Sequence, residues 1–201
     1  MNRIIDIVGA MTILIVCSPA LTLIVILISF FQGTPIFFRQ SRLGKNHREF
    51  KIVKFCTMNN KRGSNGELLP DEERITSIGQ FLRRTSLDEI PGFWNVLLGH
   101  MSLVGPRPLP PQYLNRYSKE QARRHDVKPG VTGWAQINGR NSISWEQKFS
   151  LDIWYVDNQS LYLDIKILLK TVSYVLSRRD IVPDKKGAMD EFIGSDTGDK
   201  L

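Results

Sequence analysis

Arg83–Pro111, RRTSLDEIPGFWNVLLGHMSLVGPRPLPP, is the stretch around which the rest of the chain is organised. It gathers two arginines, the adjacent carboxylates Asp88 and Glu89, a helix start and a Pro-Arg-Pro turn. Ser86 followed by Glu89 has capping-box spacing, which predicts a helix beginning at Ser86 with both acids in its first turn. Unpaired N–H groups and the macrodipole favour negative charge there. An aspartate so placed stays ionised, ready to bind a metal or to attack. Pro91 lacks the N–H that such a helix would need by its second turn, so a distortion is expected beside the acids. Acids in a first turn usually only complement the dipole, and the stretch alone does not single out a site. Its company does.

Working outward, Gly105-Pro106-Arg107-Pro108 is a stiff turn that aims Arg107 at little ordering cost, and its planar fork suits phosphate oxygens. Upstream, Thr76 or Ser77 starts a short helix with Ile78, Phe81 and Leu82 on its buried side, delivering Arg83 to the acids. Downstream, Phe93 to Leu98 is an apolar helical patch ending near Gly99. Ile36–Phe38 and Phe50–Phe55, joined by the turn residues Leu43-Gly44-Lys45-Asn46, predict a hairpin whose basic residues lie on headgroups or face a phosphate. Asn59 to Asp71 is polar and reads as a loop. Tyr113 to Asp126 suggests an exposed, charged helix. Lys128 to Arg140 carries three glycines beside Thr132, Lys128 and Arg140, a string able to present backbone N–H groups to an anion. It is neither a Walker loop nor a Rossmann fingerprint. Trp134 either stacks on a base or packs. Trp145–Tyr155 and Leu161–Leu176 read as helices, the second packed or lying in an interface. The tail from Lys185 is polar and reads as disordered.

The 201 residues suffice for one domain plus an anchor. Two cysteines, Cys17 and Cys56, form no disulfide framework, and Cys and His do not cluster at zinc spacing, so any metal is a hard cation held by carboxylates. The formal charge of +7 points to anionic partners. A nucleic-acid motif is missing, which disfavours DNA or RNA. Ile7 to Phe31 carries no charge, is too long for a signal-peptide core and lacks a cleavage pattern. Ser18-Pro19 sits in its middle, where proline frees the Ile15 carbonyl and Ser18 can take it. Arg39, Arg42, Lys45, Arg48, Lys51 and Lys54 place the following side in the cytoplasm, and Arg3 favours the same side for the amino terminus. The residues leave both a plain spanning helix and a helix that re-enters the same leaflet open.

Six strings then occur in order: Phe38-Arg39-Gln40-x-Arg42-x-Gly44, Lys54-Phe55-x-Thr57-Met58, Arg74-Ile75-Thr76-x-Ile78-Gly79, Arg83 to Glu89 with Pro91, Met101 to Pro108, and Lys128-Pro129-Gly130-x-Thr132-Gly133. Together they resemble the bacterial sugar transferase family, the monotopic phosphoglycosyl transferases, over nearly the whole chain. Departures are Cys56 where relatives often carry a basic residue, His100 where an Asp is frequent, and Gly92-Phe93-Trp94 in place of a more polar run.

The resemblance implies an α+β, mostly α fold. Residues 1–33 would be a re-entrant membrane helix broken at Ser18-Pro19, residues 34–182 a cytoplasmic, interfacial catalytic domain, and 183–201 a polar tail. It implies transfer of a sugar 1-phosphate from a UDP-sugar to polyprenyl (undecaprenyl) phosphate with Mg²⁺ and release of UMP, at the cytoplasmic face of a bacterial inner membrane. An N-acetylated donor such as UDP-N,N'-diacetylbacillosamine is expected from the small size. Asp88 and Glu89 would be catalytic and metal-binding, with Asp88 the nucleophile, and Arg83, Arg107 and Arg140 candidate phosphate partners. Asp152, Tyr155, Asp157 and Asp164 are left without a role at this stage.

Overall fold

A computed structural model describes residues 2–139, 143–177 and 191–194. Its longest element, helix α1 (Arg3–Phe31), begins where the Asn2 side chain caps the Ile4 N–H. By length and composition α1 is able to cross a membrane. The helical segment continues through Pro19. Ser18 Oγ donates to the freed Ile15 carbonyl at 2.8 Å, replacing the bond that proline cannot make.

Both ends of α1 are tied to the rest of the chain. At the start, Arg3 donates to the Val96 and Leu97 carbonyls, both at 2.6 Å. Buried Asp6 accepts from Ser102 Oγ at 2.8 Å and the Leu103 N–H at 2.9 Å. At the finish, Ile24 and Ile28 pack on Phe55 and Leu82, and Gln32 donates to the Cys56 and Met58 carbonyls. Between these ends the helix is exposed, with Ile15 and Val16 at 65% and 71%.

Strands β1 (Phe37–Leu43) and β2 (Glu49–Phe55) form the expected antiparallel hairpin, paired from Phe37 with Phe55 to Leu43 with Glu49. After a short helix α2 (Asp71–Arg74), Thr76 caps α3 (Ser77–Thr85) by accepting from the Gly79 N–H. Gly79 lies so close to Thr57 that a Cβ there would sit 1.9 Å from the Thr57 carbonyl oxygen. This approach turns Gly79 and Leu82 inward and leaves Phe81 exposed at 57%, against the expectation that it is buried.

Ser86 does not cap a following helix. It ends α3 in the left-handed region, φ 56°, and its side chain makes no cap bond. Leu87–Gly92 is a 3₁₀ turn rather than α-helix, which accommodates Pro91 and carries both acids in its first turn. Helix α4 (Phe93–Leu97) follows and ends at Gly99, φ 85°. Buried Asn95 clamps it to β2, donating to the Lys51 carbonyl at 2.8 Å and accepting from the Val53 N–H at 3.1 Å.

Strand β3 (Ser102–Val104) pairs in parallel with β4 (Gly130–Thr132). Between them Tyr113–Asp126 is a chain of short turns, namely 3₁₀ at Pro111–Arg116, α5 (Lys119–Ala122) and 3₁₀ at Arg123–His125. It is not the exposed helix expected, because Tyr113, Tyr117, Ala122, Arg124 and His125 are all buried. Gly130 and Gly105 meet backbone to backbone, and the Gly130 N–H is spent on the Pro106 carbonyl at 3.0 Å. The glycine string therefore packs two segments rather than offering an anion nest. Helices α6 (Trp134–Asn138), α7 (Trp145–Asp157) and α8 (Leu161–Ser177) complete the mostly helical α+β fold. Trp134 stacks on Trp154, ring centroids 4.7 Å apart. Of the tail, residues 191–194 are described, and Phe192 is buried against Tyr113, Tyr117, Trp145 and Phe149, contrary to a wholly disordered reading.

Candidate active site

Three separate pieces of chain bring charge to one place. The 3₁₀ turn supplies Asp88 and Glu89, β2 supplies Lys54, and the Pro106–Pro108 turn supplies Arg107. Glu89 Oε1 accepts from Lys54 Nζ at 2.5 Å and from Arg107 Nη2 at 2.7 Å, while its Oε2 has only a 3.5 Å contact from Arg107 Nη1. Lys54 reaches Glu89 because Asn95 fixes the register of β2 against α4. Arg83 is held one turn along α3 from Gly79, its Nε donating to Thr57 Oγ1 at 2.9 Å.

The two adjacent acids differ in electrostatics. Burial alone would raise the Glu89 carboxyl, but the charges of Arg107 and Lys54 and their hydrogen bonds more than reverse that and hold it well below the usual carboxylate range. Burial, then the Glu89 charge, push the Asp88 carboxyl above its ordinary value, against the pull of Lys54, Arg83 and Arg107. Glu89 is thus a fixed anion that organises two cations. Asp88, half-buried, is the more basic carboxylate and accepts no hydrogen bond among the described residues.

Asp88, Glu89, Arg83, Arg107 and Lys54 line a cavity of about 1210 Å³. That exceeds the ~300–1,000 Å³ of ordinary small-ligand pockets. One flank is polar. The other is apolar and draws on α1 and α8, through residues such as Gly9, Ile13, Leu168 and Val172.

Of the residues singled out by sequence, Arg140 lies outside the described residues. Asp152 lines the cavity but is held in a buried ion pair with Arg124 at 2.8 Å, and Arg124 Nη2 also donates to the Arg107 carbonyl at 2.7 Å. Tyr155 donates to Asp164 at 2.6 Å inside the core, and Asp157 pairs with Arg123 at the surface. Neither Asp164 nor Asp157 lines the cavity. Sequence reasoning did not single out Lys54, Lys148, Arg42 or Arg124. Lys54 had a signal in its own string beside Phe55 and Thr57, and Arg42 in the string Phe38-Arg39-Gln40-x-Arg42-x-Gly44; the others are brought in only by tertiary contact.

With the geometry in place, comparison with known proteins is informative. The family model for the bacterial sugar transferases matches residues 1–178. The uncharacterised sugar transferase EpsL of Bacillus subtilis is 48% identical over 195 residues, covering 97% of this chain and 96% of EpsL. The UDP-glucose:undecaprenyl-phosphate glucose-1-phosphate transferase of Escherichia coli is 40% identical, over 86% of this chain and 39% of its own. The undecaprenyl-phosphate galactose phosphotransferase of Salmonella typhimurium is 37% identical, over 89% of this chain and 41% of its own. The chain thus spans nearly all of EpsL and about two fifths of the two longer relatives. A match that runs from α1 through α8, and so takes in the acid pair and both cations bound to it, means that the chain belongs to the bacterial sugar transferase family.

Proposed function

We propose that the protein transfers a sugar 1-phosphate from a UDP-sugar to polyprenyl phosphate, releasing UMP, by way of a covalent phosphosugar on Asp88. The observation that carries this reading is the division of labour between the acids: Glu89 is committed to Lys54 and Arg107, while Asp88 faces the cavity without a donor and with a raised carboxyl. The names of the Escherichia coli and Salmonella relatives support the substrate classes.

In the first step an Asp88 oxygen attacks the sugar-bearing phosphorus. The bond from that phosphorus to the bridging oxygen breaks, and UMP leaves with the electron pair. In the second step an oxygen of the lipid phosphate attacks the same phosphorus and the Asp88 carboxylate is released. Arg107 and Lys54, bound to the adjacent Glu89, offset charge on the phosphoryl oxygens, and Arg83 adds a third cation on the cavity wall. Glu89 keeps these cations aimed. The residues fit a magnesium ion, because among the described residues Asp88 is without a donor and Glu89 Oε2 is nearly so, and such ions are held by one or two carboxylates plus substrate phosphates. Bound there, it would neutralise diphosphate charge.

The acceptor is a lipid and the donor is water-soluble, and the cavity's apolar flank beside α1 suits that pairing. We also read α1 as entering and leaving one leaflet, with the domain on the cytoplasmic side. A straight helix of 29 residues is about 43 Å long and crosses a core of about 30 Å. Yet Arg3 is anchored to α4, which Asn95 ties to Lys51 and Val53, and Gln32 is anchored to Cys56 on the same hairpin strand's exit. One domain cannot hold both ends across a bilayer. For the donor we favour an N-acetylated sugar.

The test omits the acceptor. Purified protein is mixed with Mg²⁺ and UDP-N-acetyl sugars, UDP-glucose or UDP-galactose, and UMP release and intact protein mass are followed. Stoichiometric UMP with a phosphosugar adduct that Asp88→Asn lacks is the expected result, and the sugar that gives it is the donor. UMP that appears only with polyprenyl phosphate, without any adduct on rapid quench, would favour direct transfer in a ternary complex.

A further inference from the structure

Phe192 lies past the residues that carry the family match, yet only 2% of it is exposed. Its neighbours Glu191 and Ile193 stay in solvent, so the segment inserts a single ring. Arg116 fastens it from outside, donating to Glu191 at 2.7 Å and to the Phe192 carbonyl. The Phe192 N–H donates to the Tyr113 hydroxyl at 3.4 Å. Backbone and ring are thus both engaged, and the ring is an anchor in a closed aromatic site.

That site leads toward the acid pair. Phe192 stacks on Tyr117, ring centroids 5.9 Å apart, and meets Phe149 edge-on at 4.9 Å. The Arg124 guanidinium lies over these same two rings, 5.9 and 5.6 Å from their centroids. Arg124 Nη1 also donates to the Tyr117 hydroxyl at 3.3 Å, and its Nη2 donates to the Arg107 carbonyl at 2.7 Å. Tyr117 and Arg124 are both buried, so the series from Phe192 through Tyr117 and Arg124 to Arg107 runs inside the protein. Close-packed interiors pass displacement from one side chain to the next. An empty Phe192 site would give Tyr117 and Phe149 room to shift, and Arg124 would follow the rings it rests on.

We propose that Phe192 is a positioning residue for the reaction: the docked end of the chain holds Tyr117 and Phe149 against Arg124 and, through Arg124, fixes the aim of Arg107 in the cavity. This rests on reading Arg107 as a phosphate partner in phosphoryl transfer. Phe192 does not itself line the cavity, so it acts on geometry and not by touching substrate. Misplacing a reacting group by about 1 Å can cost a rate ~100-fold, so a loosened Arg107 should be visible in kcat.

The experiment uses the full chain in detergent, below the melt of every variant. UMP release is measured for wild type, Phe192→Ala, Phe192→Leu, Tyr117→Phe and Phe192→Ala/Tyr117→Phe. Amide exchange is followed at Leu43 and Gly130, whose N–H groups bond the Leu109 and Pro106 carbonyls on either side of Arg107. Gln80, bonded to Thr76 in α3, is the reference amide. Phe192→Ala is expected to lower kcat about tenfold while the donor KM moves less than about threefold. Leu43 and Gly130 should exchange about tenfold faster and Gln80 at its wild-type rate. Phe192→Leu, which refills most of the site, should recover kcat to within about threefold of wild type. The double variant should lose less than the product of the two single losses, because both act on Arg124. A folded Phe192→Ala with kcat within about twofold of wild type overturns the proposal, as does faster exchange shared equally by all three amides, which marks a loss of overall stability alone. Should Phe192→Ala not stay folded, Phe192→Leu carries the test: exchange quickened at Leu43 and Gly130 but not at Gln80 supports the proposal, and unchanged exchange there overturns it. A wild type that turns over no UDP-sugar removes the transferase reading, and the exchange pattern then decides alone whether the tail holds the arginine turn.

Discussion

The Arg124–Asp152 pair offers the sharpest energetic test of how the site is held. Its side chains are 1% and 3% exposed, and Arg124 spends donors on Asp152 Oδ2 at 2.8 and 3.1 Å, on the Tyr117 hydroxyl at 3.3 Å and on the Arg107 carbonyl at 2.7 Å. Asp152→Leu removes the only carboxylate paired with Arg124 among the described residues and leaves its guanidinium buried without that counter-charge, a change that costs about 3–5 kcal/mol. Against a total stability of about 5–15 kcal/mol, that is a large share. The double replacement Arg124→Met/Asp152→Leu removes both charges and fills similar volume, so its stability is expected within about 1–2 kcal/mol of wild type. Activity should separate from stability in that double variant. The Arg107 carbonyl loses its donor, and kcat falls while the fold survives. The assay is denaturant unfolding in detergent followed by tryptophan fluorescence, paired with UMP release. Asp152→Leu costing less than 1 kcal/mol, or a double variant as unstable as the single one, would refute the reasoning.

Three further outcomes are expected. On the proposed mechanism Asp88 attacks as the ionised carboxylate, and its carboxyl is raised from 3.8, so kcat/KM should fall on the acid side with an apparent pKa above that ordinary value; an acid limb at or below 3.8 would argue against Asp88 as the attacking group. His125 is buried, donates through Nδ1 to the Gly44 carbonyl, and is held down to about 3 by burial, then by Arg124 and His47. The unfolded chain takes up this proton below pH 6.5 while the folded chain does not, so stability drops as pH falls, by about 1.4 kcal/mol per unit and about 2 kcal/mol by pH 5. In His125→Gln this component should vanish from the difference between melts at pH 7 and 5. Phe192→Ala empties a site walled by Tyr113, Tyr117, Trp145 and Phe149 and should cost about 3–5 kcal/mol; a melt unchanged from wild type would mean that the terminal segment does not dock in solution.

Elements governed by local chemistry were legible in the sequence. The hairpin followed from its aromatic and β-branched runs, the start of α3 from Thr76, and the Ser18–Ile15 bond from what proline does to the carbonyl four residues back. Failures came where a local pattern met a tertiary demand. Ser86-x-x-Glu89 has the spacing of a capping box, yet Ser86 ends α3 in the left-handed region, its side chain makes no cap bond, and the turn that follows it is 3₁₀. The polar look of Tyr113–Asp126 hid Arg124, whose charge is buried only because Asp152, 28 residues later, comes to meet it. The glycines near Gly130 were read as N–H donors to an anion, whereas Gly130 packs on Gly105 and gives its N–H to the Pro106 carbonyl. Among the site residues Asp88, Glu89, Arg83 and Arg107 were legible because they share one stretch. Arg42 had a signal in its own string and in the basic hairpin, whereas Lys148 and Arg124 had none, since nothing along the chain says that Arg123–His125, α7 and the arginine turn come together.

The placement of the site follows from how α1 is fastened. A helix held only by the bilayer would leave the depth of the acids free to vary. Here Arg3 binds the last carbonyls of α4, and α4 continues directly from the 3₁₀ turn that carries Asp88 and Glu89. Gln32 binds the Cys56 and Met58 carbonyls on either side of Thr57, the partner of Arg83. Each end of the membrane helix is therefore one or two contacts from a charged group of the site. Gly9, Thr12 and Ile13 of the same helix form part of the cavity wall. On the proposed mechanism, a lipid phosphate at the headgroup level beside α1 would meet Asp88 at a height set by these contacts. Loosening either end, as in Arg3→Ala or Gln32→Ala, should raise the acceptor KM more than the donor KM, and an equal effect on both would sever the link drawn between anchor and site.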